Sequence, residues 1–138
     1  MYTQKMLDIF RNPQNAGGLQ GATAVSRYVD ETYGDVIKFY LKVNEETDVV
    51  EQARFKTMGG VVSIAASSLV TELVTNLPLK EAAELDEGNL LEVFGEVPQE
   101  KFCVLSSVIA SLREAVAECV EKKEKEAEEA KKAKKAKK

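Results

Sequence analysis

The chain has 138 residues, 44% of them hydrophobic, with a formal net charge of −4, two cysteines, no tryptophan and no histidine. That length suits one domain with a modest core, and the missing histidine excludes Ser-His-Asp and Cys-His nucleophiles, imidazole general bases and His-ligated zinc. Two cysteines alone build neither a four-cysteine zinc site nor the ligand set of a cluster within one chain.

The charge is unevenly spread. Residues 1–120 hold 10 basic and 18 acidic side chains, whereas residues 121–138 hold nine lysines and five glutamates. An acidic body differs from the basic faces of nucleic-acid binders, so no nucleic-acid partner is expected. No apolar run reaches the length of a membrane span, and the start MYTQKMLDIF lacks a basic region followed by an apolar one. Cys103 and Cys119 fit a reduced thiol pattern, which points to a cytoplasmic protein.

Met6, Ile9 and Phe10 fall at helical spacing between Tyr2 and Arg11, with Thr3 as the N-cap and Asn12-Pro13 as the stop. A weak strand is expected near Ala22 to Tyr28. From Asp35 to Val43, the residues Ile37, Phe39, Leu41 and Val43 alternate with Lys38, Tyr40 and Lys42, the pattern of a half-buried strand. The polar turn Asn44 to Asp48 leads to a second strand, in which Val49, Ala53 and Phe55 alternate with Gln52, Arg54 and Lys56.

After Gly59-Gly60, the stretch Val61 to Leu77 has no charge until Glu72, so it predicts an almost wholly buried helix. Short helices are expected at Leu79 to Glu84 and Gly88 to Phe94. Pro98 then precedes a long helix carrying Val104, Val108, Leu112, Ala115 and Cys119 on one stripe. The sum is an α+β domain over 1–120: a three-stranded antiparallel sheet packed with about five helices, the last one long. Residues 121–138 form a Lys/Glu/Ala tail with i, i+4 pairs such as Glu121–Lys125, and the end KKAKKAKK is expected to repel itself and fray. A solubilising tail is favoured over one that docks acidic partners or lipid.

In this order, the pieces resemble the IscU/NifU N-terminal family, the scaffolds on which iron–sulfur clusters are assembled. MLDIFRNPQNAGGL is similar to the family opening, YGDVIKFYLKV to its Cys-Gly-Asp strand, ARFKTMGG with SIAASSLVTELV to its F-K-T-x-G-C-G turn and Ala/Ser helix, and PLKEAAEL to the segment before its short helices. The likeness spans about Tyr2 to Glu118. It implies the family fold, a scaffold rather than an enzyme, and a cysteine desulfurase or another assembly protein as partner.

The resemblance also implies where ligands belong. The family holds its cluster with three cysteines, aided by an aspartate and often a histidine. The first cysteine position is Tyr33, followed by Gly34 and Asp35; the second is Gly60. The third falls in KFCVLSS: aligned on the cysteine it is Cys103, and aligned without a gap to the later helix it is Val104, with Cys103 at the histidine place. The chaperone-recognition pattern L-P-P-V-K stands here as Val97-Pro98-Gln99-Glu100-Lys101.

A [2Fe–2S] cluster takes about four donors, mostly soft thiolates. Tyr33, Asp35 and Cys103 offer a phenolate, a carboxylate and a thiolate, and glycine at 60 offers nothing. The favoured expectation is a divergent paralogue with lost or altered cluster ligation that keeps the fold and a partner surface. The alternative is a working scaffold, or an iron or zinc protein, using Tyr33, Asp35 and Cys103 or a subunit interface. Least favoured is an enzyme with Cys103 as a sulfur or acyl acceptor, since no base accompanies it. Simpler structural roles compete at each position: Asp35 capping a turn, Tyr33 packing at the surface, Cys103 an inert thiol, Gly59-Gly60 a turn before a buried helix.

Overall fold

Thr3 starts the first helix as its sequence position requires, its hydroxyl accepting the Met6 N–H at 3.3 Å. Helix α1 spans Gln4–Arg11 in the computed structural model, which describes residues 1–136, the side chains of 134–136 aside. Strands β3 (Val36–Val43) and β4 (Val50–Met58) form the expected antiparallel hairpin, with Ile37, Phe39, Leu41, Ala53 and Phe55 all buried on one side.

The register carries one correction. A bulge between Lys42 and Val43 pairs Val43 with Val50, so Val50, not Val49, enters the core. The expected first strand is present as two short pieces, β1 (Ala24–Val25) and β2 (Tyr28–Val29), along the same edge of β3, giving four strands in three ribbons. The break has a chemical cause. Ser26 N–H donates to the Phe39 carbonyl, but the Phe39 N–H goes to Ser26 Oγ at 3.0 Å. Ser26 Oγ lies 2.8 Å from Ser111 Oγ, which donates to the Ile37 carbonyl at 2.8 Å. This chain of hydroxyls satisfies buried polar groups and ties the edge strand to the last helix.

Helix α2 runs Val61–Val74 and is buried on nearly every side, as its uncharged sequence demands. It stops three residues before the expected Leu77, where Thr75 turns extended and Asn76 takes φ 72°. Helices α3 (Leu79–Ala82) and α4 (Glu87–Phe94) follow, the second opened by an Asp86–Asn89 capping box. A 3-10 turn at Gln99–Lys101 leads into α5, Phe102–Ala136.

Helix α2 packs on β4 and α5 packs on β3, β1 and β2, closing one face of the sheet over Phe39, Leu41, Leu105, Ile109 and Leu112. Each such side chain contributes about 1.5–3 kcal/mol on burial. Every side chain from Glu121 to Ala133 is exposed, yet the backbone continues as helix through Ala136. The segment KKAKKAKK, expected to fray, is helical through Ala136, and Lys137 and Lys138 lie outside the described residues. Among the described residues, no helix is long and apolar enough to cross a membrane.

Candidate functional site

The loop from Asp30 to Asp35 bridges the starts of α2 and α5. Asp30 is 2% exposed and its carboxylate is fully engaged: Oδ2 accepts the Tyr33 N–H and Oδ1 accepts the Ser107 hydroxyl, each at 2.8 Å. Gly34 takes φ +75°, the left-handed region that glycine enters without strain, and its N–H closes the turn on the Asp30 carbonyl at 2.7 Å. The turn sends Tyr33 towards α5. Its hydroxyl donates to the Glu100 carbonyl at 2.7 Å, and Lys101 Nζ stands 3.5 Å from the centre of its ring.

Cys103 lies beside this contact. Its thiol points to the same Glu100 carbonyl, with Sγ at 3.8 Å, and the residue is half-buried. Val104 is 1% exposed and belongs to the core. Of the two positions, Cys103 alone faces the Tyr33 loop.

Asp35 turns the other way. Its Oδ2 accepts the Ser63 hydroxyl at 2.8 Å, and a Cβ on Gly59 would lie 2.5 Å from that same oxygen. Glycine at 59 is therefore a steric requirement of the Asp35–Ser63 contact. Gly60 caps α2 without a side chain, and a Cβ there meets nothing within 4 Å. Tyr33 and Cys103 thus come together at Glu100, while Asp35 meets Gly59 and Ser63 at the start of α2 and Gly60 stands open. Among the described residues, no three Cys, Asp or Glu side chains gather into a group able to hold a metal ion.

Cys119 sits 3% exposed, sixteen residues along α5 from Cys103, about 24 Å at helical rise. Burial pushes its thiol from 9.0 up to about 11, with Glu118 adding to the rise and Lys122 opposing it. Sequence reasoning missed Asp30, Ser107, Ser63 and the Glu100–Lys101 pair. One signal was available for part of this set: Cys103, Ser107 and Ser111 recur every four residues, on one stripe of the helix.

Residues 1–127 match the family model described as the NifU-like N terminal domain. The chain belongs to this family. The iron–sulfur cluster assembly scaffold protein IscU of Aquifex aeolicus is 37% identical to it over 122 residues, covering 88% of this chain and 78% of that protein. IscU of Escherichia coli K12 is 35% identical over 135 residues, covering 88% and 96%. The NifU-like N-terminal protein of Brucella abortus, at 17% identity and a TM-score of 0.68 over 86% of this chain and 94% of that one, shares the fold. The NifU-like domain is therefore a member of the iron–sulfur assembly scaffold family. Its likeness runs through the loop Asp30–Asp35, the Gly59-Gly60 turn and the start of α5, where the candidate residues stand.

Proposed function

We propose that this NifU-like domain is a divergent scaffold-family paralogue that has lost ordinary cluster ligation and kept the family fold as a partner-binding body. One observation carries the reading. Where the resemblance assigns the first cysteine, Tyr33 donates its hydroxyl to Glu100 and lays its ring against Lys101. A phenol whose hydroxyl meets a backbone carbonyl and whose ring lies under an ammonium is a structural contact rather than a waiting ligand. Gly60 supplies no donor, Val104 faces the core, and Asp35 is held by Ser63. One half-buried thiol, Cys103, remains, and a cluster needs several soft donors.

The donor set therefore does not fit a stable cluster as cargo. The chain acts by association rather than turnover, in a cytoplasmic setting where both thiols stay reduced. Cysteine desulfurase, or another protein of cluster assembly, is the partner expected of such a body. The tail after residue 120 is a solvated extension of α5, not a second folded unit.

Anaerobic incubation with iron and sulfide, followed by visible absorbance and bound-iron analysis, tests the ligation claim. Less than stoichiometric iron and no persistent cluster spectrum are expected. A stable, stoichiometric cluster would establish instead a working scaffold on Tyr33, Asp35 and Cys103 or across a subunit interface.

A further inference from the structure

The face of the sheet turned away from the helices carries a charge opposite to that of the molecule. Alternation along β3 and β4 places Lys38, Lys42, Arg54 and Lys56 on it, opposite the buried Ile37, Phe39, Leu41 and Phe55. Arg27, exposed in the break of the edge strand, follows the same alternation after buried Ser26. Half of the ten basic side chains of residues 1–120 thus stand on one face of a domain with 18 acidic ones. The only carboxylate in β3 or β4, Glu51, turns to the Asn44 amide at the hairpin end, at 2.9 Å.

The register makes the face costly in isolation. Lys38 lies directly opposite Lys56, and like charges facing each other across strands destabilise a sheet. Among the described residues, the ion pairs are Lys122–Glu118 and Lys123–Asp48, so none of these five cations is neutralised by a carboxylate. Beside the two lysines lies a largely apolar groove of about 480 Å³, bordered by Pro13, Ile64 and a Met58 that is 77% exposed. Apolar surface rimmed by unpaired charge of one sign marks an interaction site.

We infer that this outer sheet face docks an acidic segment of a partner protein, its carboxylates on Lys38, Lys56 and Arg54 and an apolar side chain in the groove at Met58. A short acidic segment fits better than a nucleic acid, because the rest of the acidic domain repels a long polyanion. The inference does not depend on how the domain treats a cluster.

The test uses the full chain and a short fluorescein-labelled peptide rich in Asp and Glu with two leucines. Controls are the same peptide with Asn and Gln for the acids, and a single-stranded oligonucleotide of equal charge. The acidic peptide is expected to bind with an affinity that falls with salt and to shift the backbone amide signals of β3 and β4. Lys38→Glu creates a cross-strand ion pair with Lys56, so it should raise Tm while weakening the peptide roughly tenfold. Loss of binding cannot then be ascribed to unfolding. Lys131→Glu, a like change on the tail, should leave affinity unchanged. Equal binding of the uncharged peptide, equal or tighter binding of the oligonucleotide, signals that shift elsewhere, or equal weakening by Lys131→Glu would each overturn the inference.

Discussion

The phenol at position 33 is tied at both ends of its chemistry: its hydroxyl to the Glu100 carbonyl and its ring to the Lys101 ammonium. Tyr33→Phe removes the first contact and keeps the second, so thermal or chemical unfolding should show a loss of about 1 kcal/mol. An unchanged midpoint would mean that the hydroxyl bond adds nothing. The two thiols should separate by reactivity. Native protein should alkylate at half-buried Cys103, while Cys119 should react only after unfolding, a difference that peptide mass mapping reads directly. The raised Cys119 pKa also has a sign. The folded state holds this proton more tightly than the unfolded chain, so the neutral thiol's contribution is intact below pH 9.0 and is lost as pH rises towards about 11. Relative to Cys119→Ala, the wild type should lose about 2 kcal/mol of stability across that window. Parallel pH profiles of the two proteins would contradict the assignment.

Between elements, the two adjacent glycines before α2 behave differently. Gly59→Ala drives a Cβ against the Asp35 carboxylate and the Ser63 hydroxyl, and should cost about 1–3 kcal/mol. Gly60→Cys meets no neighbour and should fold with near-native stability. Urea unfolding of both variants checks the contrast, and equal losses would refute it. Much of this level was legible in the sequence. The alternation of Ile37, Phe39 and Leu41 fixes which side of β3 is buried, and the uncharged run after Gly60 requires a buried helix. What stayed hidden depends on partners distant in the chain. The break at Ser26 requires Ser111, 85 positions away, to receive its hydroxyl, and Val50 replaces Val49 because a bulge in the pairing shifts the register. The candidate positions could be read from the motif order, but Tyr33's grip on Glu100 and Asp35's on Ser63 arise only when three separate segments meet.

For the whole molecule, the family elements stand in family order, with a phenol, a glycine and a core valine at or beside the places that the resemblance gives to cysteines. The core that holds these elements includes Val104 but neither Tyr33 nor Gly60. Gly60 is open to a side chain and Cys103 already faces the Tyr33 loop, so thiols can be added there without disturbing the core. The most direct measurement is anaerobic iron and sulfide reconstitution of the wild type beside Tyr33→Cys/Gly60→Cys, read by visible absorbance and iron stoichiometry. No stable cluster is expected on the wild type, and a gained cluster spectrum is expected on the double variant, where Cys103 becomes a third thiolate. A stable, stoichiometric cluster on the wild type would contradict the proposed loss of ligation.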